Sequence, residues 1–131
     1  MAMTEPFIFI NSYAIKPGRA DDYEKACRTV VELAEAEEPR LLHFGIYINS
    51  DGTEGTTVQV HPDADSMGFH MQLVAEHINA AREYLDFTTM RVQVYGILNE
   101  PVLEQMRQLA GSGVPVTITA QSSGFNRLPT L

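Results

Sequence analysis

Apolar positions recur along the chain with two periods, and the changes of period mark its elements. Phe7 to Ile15 (FIFINSYAI) is rich in β-branched and aromatic residues and stops at Lys16-Pro17-Gly18, which predicts a first strand. Arg19 to Glu38 follows with helical spacing. Tyr23, Cys27, Val30 and Ala34 share one face, Asp21 and Asp22 sit in the first turn where they suit the helix dipole, and Pro39 stops it. Leu41 to Asn49 and Thr56 to His61 read as strands flanking Ser50-Asp51-Gly52-Thr53-Glu54-Gly55, a hairpin loop longer than the two-residue form. Pro62-Asp63-Ala64-Asp65 offers an N-cap aspartate for a helix from Ser66 to about Ala81, with a continuation through Arg82-Glu83-Tyr84-Leu85 left open. Met90 to Leu98 alternates as a fourth strand. Asn99-Glu100-Pro101 then opens a third helix to about Ala110, Gly111-Ser112-Gly113 breaks it, and Val114 to Ala120 reads as a fifth strand.

The order strand, helix, strand, strand, helix, strand specifies an α+β, ferredoxin-like split βαβ domain with an antiparallel sheet. Its core spans about residues 7–98 and a helix-and-strand extension about 99–131. The 131 residues suit a single domain, and 44% hydrophobic with 20% charged residues is ordinary for a globular chain. The 17 acidic against 9 basic side chains leave a formal charge of −8, which disfavours nucleic acid and anionic membrane surfaces as partners. Cys27, the single cysteine, forms no internal disulfide, and Met1-Ala2-Met3-Thr4-Glu5-Pro6 lacks the basic start and apolar run of a signal peptide. Both features lead to an expectation of a cytoplasmic protein.

Strand two alternates His43, Gly45, Tyr47 and Asn49 with Leu42, Phe44, Ile46 and Ile48, and strand four alternates Arg91, Gln93 and Tyr95 with Met90, Val92 and Val94. The aliphatic set is expected beneath the helices. The opposite face is expected to carry Asn11, Tyr13, His43, Tyr47, Gln59, His61, Arg91 and Tyr95, with strand one registered so that Phe9, Asn11 and Tyr13 join it. Such a mixed aromatic and polar face suits cover by a second copy of the chain, a homodimer, or a semi-exposed surface. The tail strand either reaches across to a partner or extends its own sheet's edge.

The element order, with Ile15-Lys16-Pro17-Gly18 closing the first strand and Arg19-Ala20-Asp21-Asp22-Tyr23 opening the helix, resembles the antibiotic biosynthesis monooxygenase family of the dimeric α/β barrel superfamily, over about residues 7–98. Met67-Gly68-Phe69-His70 resembles the helix-two pattern of an apolar residue followed three later by histidine. Asn11 falls where haem-degrading and quinone-forming branches keep a strand-one asparagine. The resemblance implies a homodimeric barrel and a cofactor-independent oxygenase, needing no cofactor, that acts on a small aromatic or quinol-like metabolite. A non-catalytic barrel that binds a small apolar ligand, or serves as an interaction module, is the alternative. The chain has no tryptophan, so the helix-two tryptophan of the haem-degrading branch is missing and haem degradation is disfavoured.

His70, on a helix facing the sheet, is the candidate base, because histidine's ordinary pKa near 6.5 lets it take a phenolic proton near neutrality; the alternative is a histidine satisfied by a neighbouring backbone group. Asn11 would position a carbonyl or phenolate, and Tyr13, Tyr47, Tyr95 or Arg91 would stabilise developing negative charge, or else form an interface hydrogen-bond network. Met67 is a candidate wall of an apolar pocket, with a core role as the alternative. No metal site is expected: His70 and His77 lie roughly 10 Å apart on their helix, and His61-Pro62-Asp63-Ala64-Asp65 lacks the ligand spacing of zinc or calcium loops. Glu35-Ala36-Glu37-Glu38 reads as a solvated helix end, and Cys27 as buried and inert.

Overall fold

Side-chain caps and breakers set the elements of the structure, a computed structural model that describes residues 5–111 and 113–127. Met1-Ala2-Met3-Thr4 and Ser112 of the expected break lie outside them. The elements are β1 (Phe7–Ile15), α1 (Ala20–Glu37), β2 (His43–Ile48), β3 (Glu54–His61), α2 (Ala64–Ala80), a 3₁₀ turn (Ala81–Glu83), β4 (Leu85–Tyr95), α3 (Glu100–Ala110) and β5 (Val116–Thr119). Asp63 caps α2 by accepting from Ser66 N at 3.0 Å, and Asn99 caps α3 by accepting from Val102 N at 3.0 Å. The short turn after α2 ends the helix before Tyr84, so Leu85 already belongs to β4, earlier than the sequence pattern suggests.

The strands form one open sheet in the order β2-β3-β1-β4-β5. The first four pair antiparallel, the ferredoxin-like arrangement, while β5 adds parallel to β4 through the α3 crossover and makes the sheet mixed. Of the two uses expected for the tail strand, extension of its own sheet is therefore the one observed.

Register corrects one expectation. Phe9 pairs with Gln59 and Asn11 with Thr57, and these in turn face Phe44 and Ile46 of β2. Because directly opposed residues share a face, Asn11, Tyr13, Gln59 and His61 lie on the helix-covered side, together with the aliphatic set. The uncovered side carries Ile8, Ile10, Val58 and Val60 beside His43, Tyr47, Arg91 and Tyr95. β1 misleads because both of its faces are apolar, and a one-residue change of phase moves every side chain across the sheet.

Two buried clusters stand on the covered face. One joins Phe7, Phe9, Val92 and Val94 to Met67 and Met71 of α2 and Val102 and Met106 of α3; the other joins Tyr13, Ile15, Leu85 and Met90 to Tyr23 and Cys27 of α1. Burying each such large side chain contributes about 1.5–3 kcal/mol. Gly68 lets α3 approach α2, since a β-carbon there would stand 3.3 Å from Val102 Cγ2, and its carbonyl accepts from Gln105 Nε2 at 3.1 Å. No helix among the described residues is long and apolar enough to cross a membrane.

Candidate functional site

Between the sheet and the three helices lies a cavity of about 330 Å³, a size suited to a small organic molecule. Its walls are mainly apolar: Phe9, Phe44, Met67, Met71, Val74, Met90 and Val92, with Met106 and Leu109 supplied by the C-terminal helix. Polar groups enter this lining in a few places, and each is held by the fold in a definable way.

The first is His70, 3% exposed, whose Nδ1 lies 2.7 Å from Glu38 Oε2. Glu38 is one residue beyond α1 and is itself buried, contrary to its expected solvation, whereas Glu35, Ala36 and Glu37 are exposed. Pro39 explains the difference. The residue before a proline is pushed out of helical geometry, and Glu38 at φ −123°, ψ 75° turns its side chain inward against α2. Against a carboxylate Nδ1 is the protonated nitrogen and donates. In the neutral form of the ring Nε2 carries the lone pair, and it makes no hydrogen bond to another described residue. The Phe44 ring packs edge-on against this imidazole at 5.1 Å between centroids, and His61 does so at 5.9 Å.

His61 is wholly buried and fully bonded. Gln59 Oε1 accepts from its Nε2 at 2.9 Å, which leaves Nδ1 to accept from the Ser66 hydroxyl at 2.7 Å. Burial, and then the neighbouring His70, push its pKa down to about 3, so it stands neutral behind His70. Asn11 donates from Nδ2 to Met90 Sδ at 3.8 Å, and its Oδ1 is buried without a partner among the described residues. Glu38 Oε1 is a second such acceptor.

A hydroxyl cluster forms another polar group of the lining. Tyr13 shares hydrogen bonds with Tyr23 at 2.5 Å and with Thr57 at 2.9 Å. Burial pushes both phenols above their ordinary pKa and the adjoining Cys27 thiol up to about 11, so all three stay protonated near neutrality.

Solved structures with the same architecture include MupZ from Pseudomonas fluorescens, at TM-score 0.73 and 22% identity, covering 94% of this chain and 95% of that one. Two candidate antibiotic biosynthesis monooxygenases also match. The protein from Nitrosomonas europaea gives TM-score 0.64 at 15% identity over 75% of this chain and 95% of its own; that from Caulobacter crescentus gives 0.62 at 12% over 70% and 89%. The chain has the antibiotic biosynthesis monooxygenase fold. No family model matches the sequence, and a search of curated proteins finds no match. The match to MupZ spans enough of the chain to take in part of the α3–β5 extension.

Within this fold, the cavity gathers His70, Asn11, Tyr13 and Met67 from the sequence-derived candidates. Tyr47, Arg91 and Tyr95 stand on the opposite sheet face, with Tyr47 52% exposed, and do not line it. Sequence reasoning passed over Glu38, Tyr23 and Thr57 as site residues and placed Gln59 and His61 on the wrong face. Pro39 was the available signal for Glu38. The described residues hold no group of three or more His, Cys, Asp or Glu side chains arranged for a metal ion.

Proposed function

We propose that the protein is a cofactor-independent monooxygenase that binds a small phenol- or quinol-like molecule in the cavity and uses His70 to remove its acidic proton. His70, in the apolar lining of the cavity with the buried Glu38 bonded behind its Nδ1, is the observation that carries this reading. Glu38 fixes the tautomer and stabilises the imidazolium formed after proton transfer. Asn11 orients the substrate by accepting a hydrogen bond at Oδ1. The apolar walls keep water from the oxygen step. For a naphthol the balance is substrate plus dioxygen giving the naphthoquinone and one water: one oxygen atom enters the ring and the other leaves as water, with the substrate's electrons reducing both.

The test is substrate-dependent oxygen uptake across a panel of naphthols and naphthohydroquinones, with His70→Ala alongside. Uptake by the wild type that falls on the order of a hundredfold in the variant supports the assignment. Full turnover in His70→Ala removes the base, and an inactive wild type removes the oxygenase. A second reading, a non-catalytic carrier of an apolar molecule, is favoured by the flexible methionine lining from Met67, Met71, Met90 and Met106.

The functional unit in this reading is a homodimer joined through the uncovered sheet face, where half-buried Ile8, Ile10, Val58 and Val60 adjoin exposed Tyr47 and Tyr95. Native mass spectrometry reports the subunit count directly. A buried Cys27 outside any disulfide suits a reducing cytoplasm.

A further inference from the structure

Gln59 is only 3% exposed, yet it lines the cavity. Its side chain ends a run of hydrogen bonds that starts in the first turn of α2: the Ser66 hydroxyl donates to His61 Nδ1, and His61 Nε2 donates to Gln59 Oε1. Each side-chain hydrogen in this run has a recipient except the two on Gln59 Nε2, which bonds to no other described residue. That nitrogen is not sealed in either. The buried side-chain polar atoms that lack both a partner and contact with open space are, among the described residues, Asn11 Oδ1 and Glu38 Oε1. Gln59 Nε2 therefore brings an unused amide donor to the cavity wall.

The direction of the run follows from its buried end. With the amide turned over, Gln59 would donate to His61 Nε2, Nδ1 would carry the ring proton toward Ser66, and the buried Ser66 hydroxyl would keep a hydrogen with no acceptor among the described residues. Stranding a buried donor is costly. In the direction given above, the spare hydrogens stand instead where a bound molecule can accept them.

This donor stands beside the base. Phe44 is the cross-strand partner of Gln59, and its ring meets the His70 imidazole at 5.1 Å between centroids; His61, which holds Gln59 Oε1, meets the same imidazole at 5.9 Å. His70 thus packs on both neighbours of the Gln59 amide. We propose that Gln59 Nε2 donates to the substrate oxygen whose proton His70 removes, and that His61 and Ser66 are positioning residues that hold the amide to this task. The proposal rests on the reading of the cavity as a phenol site with His70 as its base. As the O–H bond breaks, the proton passes to His70 Nε2 and the electron pair stays on oxygen, where the amide hydrogen bond strengthens. A neutral amide does this without placing a further charge in the apolar wall. The substrate class narrows to compounds that react at a hydroxyl oxygen, since an aromatic amine, its lone pair drawn into the ring, accepts poorly from Gln59.

The test uses 4-nitrophenol, whose yellow anion lets the ionisation of the bound probe be read by absorbance on the full chain. Gln59→Met removes the amide and keeps the length of the side chain. In that variant the bound probe is expected to ionise about one pH unit higher than in wild type, a tenfold shift that fits the loss of a hydrogen bond to a charged acceptor. His70→Ala, run alongside, reports on the base. Gln59→Met also leaves the buried His61 Nε2 hydrogen without its acceptor, so some stability is lost as well. Should it not fold, Gln59→Met/His61→Phe/Ser66→Ala replaces the whole run by apolar groups, leaves none of it unpaired, and carries the same expected shift.

A folded Gln59 variant whose bound probe ionises as in wild type overturns the proposal and leaves the cavity reading standing, because Gln59 would then serve only to complete the bonding of His61. Equal ionisation in wild type and His70→Ala, beside a shift in Gln59→Met, overturns the base reading and the shared site with it, in a pattern distinct from loss of the donor alone. Failure of 4-nitrophenol to bind wild type overturns the cavity reading itself, and the proposal with it. Should neither Gln59 variant fold, the infrared carbonyl stretch of 1-indanone bound to wild type decides. A shift below its frequency in cyclohexane supports the donor, and an unshifted band overturns it.

Discussion

The Tyr13 ring lies across Gly55, its cross-strand partner in β3, so closely that a β-carbon on Gly55 would stand 2.5 Å from the ring. Gly55→Ala therefore has to expel the ring or bend β3, and either movement breaks the Tyr13–Thr57 hydrogen bond. The expected cost is about 1–3 kcal/mol, the usual range for overpacking a buried site. Urea unfolding measures it, and a variant with an unchanged midpoint would contradict the packing.

His61 gives stability a pH dependence with a definite sign. Its folded pKa of about 3 lies below the ordinary histidine value, so between them the unfolded chain binds a proton that the folded chain does not. Its contribution is complete above about pH 6.5 and is lost as the pH falls toward 3, at about 1.4 kcal/mol per pH unit. Unfolding free energies between pH 6.5 and 5, above the range of most carboxylates, are expected to show this slope in wild type and a flatter one in His61→Gln. Parallel slopes would rule out His61 as the source.

Glu38 is expected to matter twice. In Glu38→Ala the buried Nδ1 of His70 loses its acceptor, with an expected stability loss of about 1–3 kcal/mol by thermal or urea unfolding. Glu38→Gln keeps an acceptor oxygen but not the negative charge. Its turnover on a substrate identified by oxygen uptake should therefore fall while the fold survives. Wild-type kcat in the glutamine variant would show that the carboxylate acts only structurally.

Cys27 is expected to resist thiol reagents. With its pKa raised to about 11 by burial, the thiolate fraction at pH 7.5 is on the order of a hundredfold or more below that of a free cysteine, and access adds a further barrier. Iodoacetamide labelling followed by mass spectrometry should proceed in denaturant and barely at all in buffer. Rapid labelling of the folded protein would show the α1 wall opening.

The fold was legible because its signals are local: Lys16-Pro17-Gly18 ends β1, Pro39 ends the first helix segment, and the aliphatic alternation of β2 and β4 places their covered faces correctly. The site was legible only in part. β1 has apolar residues on both faces, and β3 turns Thr57, Gln59 and His61 inward while Val58 and Val60 point out, the reverse of the hydrophobic-in expectation. These inward polar groups are tolerated because their partners come from distant segments: Tyr13 for Thr57, and Ser66 for His61. Pairing of this kind leaves no periodic trace in the sequence. Glu38 escaped for a related reason, since a residue that has left the helix screw no longer follows helical facing.

Met106, Leu109 and Ala110 bring the C-terminal crossover into the cavity wall. That wall comes from the latest segment, in chain order, of all those that line the cavity. Without α3 and β5, the side of α2 that Val102 and Met106 cover would be bare, and β4 would offer an open edge to any neighbouring strand. Some twenty residues of α3 and β5 thus do two jobs at once, adding a wall to the binding room and covering the strand edge that a neighbouring chain could otherwise pair with.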